Sequence, residues 1–198
     1  MTRQDDINSS TPDPSALKAL AHPLRGRMLS LLRIKGPATA SDLARRLGLN
    51  SGATSYHLRQ LAKHGFIEED MDRGTGRDRW WRARHAWTQF DIGGSSDAAR
   101  DSSYAFGHAV LAEHIRLMQR AGEALPTLSA DWQDAADVSD YTMVLSAAEA
   151  KALRDSIHAL LIAAKRQSPP LGADLPPGTA PYTMILHGFV HPDDDEPQ

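Results

Sequence analysis

The residues best suited to chemistry lie between Ser51 and Arg79, and the chemistry they suit is recognition. Thr54, Leu58 and Leu61 follow one another at steps of four and three, which keeps them on one face of a helix. Gly52, Ser55, Tyr56, Arg59, Gln60 and Lys63 fall away from that face. A helix that is apolar on one side and small, hydrogen-bonding and basic on the other can pack inward and enter the major groove of duplex DNA. In this reading Tyr56, Arg59 and Gln60 read a half-site, with Ser51, Gly52 and Ser55 close to the backbone or base edges. Arg73, Arg77 and Arg79 surround two glycines in a turn, a tip able to approach phosphates or a minor groove. Thr39, Ser41 and Lys63 are expected to help hold phosphates.

Bond-making chemistry finds little support. The chain carries no Gly-rich phosphate loop and no serine elbow motif, and it has no cysteine. Disulfides, zinc–thiolate sites and thiol switches are thereby removed, in keeping with a cytoplasmic protein. The histidines read as structural. His57 lies beside Thr54 and Leu58 on the buried edge, and His22 precedes Pro23 at a helix junction, where it caps or packs. His108 and His114 are six apart, hence on different faces of a helix. His187 and His191, in extended chain, would stand about 13 Å apart, too far to share a metal. The run Asp193 to Glu196 reads as a solvated tail. No catalytic residue, metal or cofactor is expected.

The elements that must position these residues are legible in turn. Residues 1–14 read as a disordered tail, with Ser15 as the N-cap of a first helix ending near His22. Pro23 opens a second helix through about Lys35, with Leu24, Met28, Leu31 and Leu32 as its stripe, and Gly36-Pro37 stops it. Ser41 is the expected N-cap of a short helix carrying Leu43, Ala44 and Leu47. Gly48 suits the left-handed turn that leads to the helix at 51–64. A strand from Phe66, a turn at 72–77 and a second strand at 77–84 complete a basic hairpin. Trp80 and Trp81, adjacent on that strand, face opposite sides, one of them packing under the hairpin.

Beyond a flexible link at 91–97, a long helix is expected from Ala98 to Leu125, with Phe106, Val110, Leu117, Met118 and Ala121 near heptad spacing and Pro126 as its stop. Then come a strand at Tyr141, a helix from Ala147 to about Arg166, a Pro/Gly-rich loop and a final strand, YTMILHGFV. Such a sheet has too few strands to stand alone and must pack on the long helix or a second subunit. The expected fold class is α+β, mainly α: a winged helix-turn-helix domain at 15–90, then a long helix and a small strand-helix-strand unit at 98–190 for dimerisation or an effector, then an acidic tail at 191–198.

Charge separates along the same line. Ser15 to Phe90 holds 14 basic and 6 acidic side chains, whereas the rest of the 198 residues holds 8 and 19. A net charge of −3 thus conceals a basic first half, the asymmetry of a nucleic-acid module joined to a regulatory one. No stretch approaches the ~18 apolar residues of a transmembrane helix, so no membrane partner is expected.

Three segments carry a family resemblance: Ala-His-Pro-Leu-Arg at 21–25, Ser-Tyr-His-Leu at 55–58 and the Leu-x-x-x-Gly at 61–65. Over residues 15–88 the chain resembles the ArsR-like winged-helix repressors of bacteria. The stretch from Leu145 to Arg166 and the final ILHGFV resemble the C-terminal extension of their actinobacterial branch. The resemblance implies a homodimer that sets two recognition helices in successive major grooves of a double-stranded operator, its geometry altered by a ligand or a partner. The cysteine pairs of metal-sensing members are missing here. The function expected is that of a DNA-binding regulator, a dimeric repressor with an unidentified small-molecule effector. The alternatives are a small-molecule receptor and a protein–protein adaptor on the same scaffold.

Overall fold

The computed structural model describes residues 9–10, 12–73, 78–88, 97–172 and 175–192. Helix α1 (Pro14–Leu20) is capped by Asp13, whose Oδ1 accepts from the Ala16 amide at 2.8 Å. The cap therefore lies two residues before the expected Ser15, because Pro14 supplies the preset φ of a first helical position. Helix α2 (Pro23–Lys35) starts on a proline in the same way, with His22 Nδ1 accepting from the Leu24 amide. Strand β1 (Ser9–Ser10) pairs in parallel with β5 (Trp87–Thr88), so chain preceding α1 returns to the end of the hairpin region.

Three short strands form the wing sheet. Strand β2 (Ala38–Thr39) and β3 (Ile67–Glu69) flank β4 (Trp80–Ala83), both antiparallel to it. Trp81 stands opposite Ala38 on one side and Glu69 on the other, and it is buried while Trp80 is half-buried. The hairpin is thus a three-stranded sheet, because the two residues before α3 (Ala40–Leu47) are extended enough to add an edge.

The core is built by α2, α3, α4 (Ser51–Lys63) and β3. Met28, Leu29, Leu32, Leu43, Leu58, Leu61, Phe66 and Ile67 are all buried in one cluster, and Thr54 joins them with its hydroxyl donating to the Asn50 carbonyl. Helix α1 adds Ala16, Leu17 and Leu20 and lies against α5 (Asp97–Ala124), which contributes Phe106 and, half-buried, Val110. Farther along α5, Leu111, Ile115 and Met118 are exposed. A 3₁₀ turn at Leu125–Thr127, placed by Pro126, ends α5 as expected.

Helix α6 (Ala130–Asp134) and α7 (Ala147–Gln167) follow, the latter opened by a capping box between Ser146 and Glu149. No side chain of α7 is buried. The flanks of α7, expected as strands from Tyr141 and over 182–190, have no ladder pairing among the described residues. Two strands alone bury too little to hold a ladder in water. Tyr182 nevertheless stacks on Trp132 with ring centroids 6.4 Å apart, and its hydroxyl donates to the Ala135 carbonyl. Past α7 the chain returns to the end of α2, where Gly172 meets Gly36 so closely that a Cβ on Gly172 would lie 2.7 Å from the Gly36 Cα. Among the described residues no helix is long and apolar enough to cross a membrane.

Candidate nucleic-acid interface

The start of α3 fixes the first side of the site. Thr39 and Asp42 form a reciprocal capping box: Thr39 Oγ1 accepts from the Asp42 amide at 3.1 Å and donates to Asp42 Oδ2 at 2.8 Å. The Thr39 hydroxyl holds the Asp42 carboxyl below the usual carboxylate range. The N-cap is therefore Thr39, and Ser41, expected in that role, lies inside the helix and is exposed. The β-branched Thr39 serves both the edge strand and the cap, which the sequence pattern did not separate.

Gly48 ends α3 in the left-handed region at φ 66°, as its position predicts. Asn50 then caps α4, accepting from the Ala53 amide at 2.8 Å. With the stripe Thr54, Leu58 and Leu61 fully buried, the opposite face must point outward. Gly52, Tyr56, Arg59 and Lys63 are exposed, and Ser55 and Gln60 are half-exposed.

Between that face, the start of α3 and the wing runs an open trough. Thr39, Ser41, Ser51, Ser55, Arg59 and Arg79 line it, together with Ala40, Asp78 and Trp81. Six of the twelve residues singled out in the sequence thus converge on one surface, drawn from three different elements. Gly52, Tyr56, Gln60 and Lys63 share α4 but not the trough lining, and Arg73 lies on the wing. Arg77 lies outside the described residues.

The wing arginines are held by local carboxylates. Arg79 pairs with Glu69 at 3.1 Å and lies over the Trp81 ring, and Arg73 pairs with the buried Asp70 at 3.4 Å and lies over Trp80. Arg82 pairs with Glu68 at 2.9 Å. The sequence pattern points Arg73 and Arg79 at phosphates and leaves out the carboxylates beside them. Glu68 and Glu69 on the facing strand were the signal that Arg82 and Arg79 are oriented by ion pairs across the hairpin, and Asp70, three residues before Arg73, the signal for a local pair there. By contrast, Arg59 and Lys63 have no ion pair among the described residues.

Behind α4, His57 is buried as expected and meets His22 at 4.6 Å between ring centroids and Tyr56 at 5.4 Å. Burial, with His22 and Arg25 nearby, lowers the His57 pKa, and burial beside Arg25 lowers that of His22. Both imidazoles therefore favour the neutral form. Arg25, which the sequence reading did not assign to this cluster, is its third member and has a buried Nε without a hydrogen-bond partner among the described residues. No group of three or more His, Asp or Glu side chains able to hold a metal occurs among the described residues.

Comparison with known proteins identifies what carries such a surface. A family described as "Helix-turn-helix domain" matches residues 20–70, the span from the end of α1 to the end of β3. The HTH-type transcriptional regulator YgaV of Escherichia coli (strain K12) is 34% identical over 73 residues, which cover 36% of this chain and 74% of that protein. The chain belongs to the winged helix-turn-helix transcriptional regulators. Solved structures similar to this regulator include reduced HlyU from Vibrio cholerae N16961, at 22% identity and a TM-score of 0.31 over 44% of this chain and 77% of that one. Another is the transcriptional repressor BigR from Xylella fastidiosa, at 20% identity and a TM-score of 0.30 over 47% of this chain and 78% of that one. The function of this winged-helix regulator is DNA binding in the control of transcription.

Proposed function

We propose that this regulator is a homodimeric, ArsR-like repressor of the actinobacterial kind, and that α4 is its recognition helix. The observation that carries the reading is the trough, where polar residues of α3, α4 and the wing converge beside an unpaired Arg59. Tyr56, Arg59 and Gln60 read base edges, and Ser51, Gly52 and Ser55 allow close approach to them. Arg73, Arg77, Arg79, Ser41 and Lys63 hold phosphates, and the Thr39 box presents the start of α3 to the same backbone. Residues 15–90 form the DNA-binding domain and residues 98–190 pair two chains, so that half-sites fall one or two helical turns apart. A small-molecule effector that prefers one dimer geometry would shift operator affinity by that preference.

The test is a salt titration of binding to the duplex upstream of the regulator's own gene. Tight binding with a steep loss of affinity at rising salt is expected, and Arg59→Ala should lower affinity at least tenfold while the melting temperature is unchanged. If a folded dimer binds that duplex no better than random DNA at low salt, the autoregulatory reading fails. If Arg59→Ala binds as tightly as the parent, the assignment of α4 as the reading helix fails.

A further inference from the structure

The two flanks of α7 are near copies of each other. Residues 141–145 read Tyr-Thr-Met-Val-Leu and residues 182–186 read Tyr-Thr-Met-Ile-Leu. Both are made of residues that favour strands. Yet Tyr141, Met143, Val144, Tyr182, Met184, Phe189 and Val190 are all more than half exposed, with Leu145 and Leu186 at 40% and 44%. Among the described residues, no backbone hydrogen bond involves 141–145 or 182–190. A large side chain offers ~150 Å², so these nine present on the order of 900 Å² of mostly apolar surface. The largest patch on a monomer is about 300–600 Å², and one partner of a stable interface buries about 800 Å².

We infer that these two segments become strands on dimerisation, and that a second copy of this chain completes with them a four-stranded sheet. The inference rests on the homodimer reading above and names the surface and bonding that make it. One chain supplies two strands, fewer than an independent sheet needs, and a second copy doubles the number. The 36 residues between Leu145 and Tyr182, most of them α7, suffice for the crossover that would make the two strands of one chain parallel. The longer segment, 182–190, takes the centre and runs antiparallel to its own copy across the two-fold axis. Its place is already marked: His187 Nε2 lies 2.9 Å from His114 Nδ1 on α5. That contact sets the segment beside the exposed stripe of Leu111, Ile115 and Met118, which can cover one face of the sheet.

The test is amide hydrogen exchange on the full-length protein, resolved to short peptides, with its mass measured by light scattering. A dimer in which both segments exchange at least a hundredfold more slowly than free peptides is the expected result. Ile185→Pro, which removes a ladder donor, should yield a monomer with both segments unprotected and the amides of α4 still protected. A dimer whose segments exchange freely would overturn the sheet and leave the homodimer standing on another surface. Protection that persists in a dilute monomer would place the pairing within one chain and overturn the inference. A monomer at every concentration would remove the homodimer reading itself.

Discussion

Thr39 shows how much one side chain can settle. Its hydroxyl is committed to the α3 cap, so the part proposed for it in DNA binding is played through the helix it anchors. Thr39→Ala should therefore lower stability by about 1 kcal/mol in urea unfolding, with loss of operator affinity following from a frayed α3 start. His57 makes a second prediction. Its pKa and that of His22 lie below 6.5 in the folded chain, through burial and the neighbouring Arg25. Between the folded and unfolded values the unfolded chain holds more protons, so stability rises with pH there. The contribution is present in full above pH 6.5 and is lost as pH falls below it. Melting temperatures from pH 8 to 5 should fall on the acid side, and His57→Gln should flatten part of that fall. An unchanged profile in the variant would show that His57 binds protons equally in the folded and unfolded states. His57 was legible as a core residue from its place beside Thr54 and Leu58, and His22 as a residue that caps or packs before Pro23, whereas their meeting with each other and Arg25 was not, because it depends on the angle between α2 and α4.

At the scale of elements, the helix-turn-helix was the most legible part, because period, caps and breaker residues all agreed there. Gly48 lay at the left-handed turn its position implied, and a Cβ there would meet nothing within 4 Å. Gly48→Ala should accordingly cost about 1–2 kcal/mol of purely conformational origin, read from the denaturation midpoint with an unchanged slope. Leu58→Ala, at a fully buried position, should cost about 2–5 kcal/mol. If Leu58→Ala cost less than Gly48→Ala, α4 would not be anchored through that face. Caps were misplaced by two residues at α1 and α3, since Asp13 competes with a nearby serine of equal cap propensity and Thr39 with one of higher propensity. The edge strand β2 was not foreseen, because two residues carry no period of their own. Half of the residues proposed for DNA contact met in the trough, while Gly52, Tyr56, Gln60 and Lys63 lay elsewhere on α4, Arg73 on the wing, and Arg77 outside the described residues. Periodicity assigns a face but not which part of it a neighbouring element overhangs.

For the molecule as a whole, the basic and acidic halves divide where the packing divides: the core ends at Phe106 and Val110, and among the described residues beyond them no side chain is buried. If a second copy covers that surface, the melting temperature should rise with protein concentration, by mass action. A melting temperature independent of concentration over two decades would count against it. The C-terminal half returns to the helix-turn-helix half at Gly36 and Gly172, two bare backbones in contact, both with positive φ. No backbone hydrogen bond joins them among the described residues, and neither has a side chain with which to interlock. What keeps the two backbones this close is the lack of a side chain on both: a methyl group on Gly172 would stand 2.7 Å from the Gly36 Cα, so either glycine acts as a spacer of zero thickness that any other residue would widen.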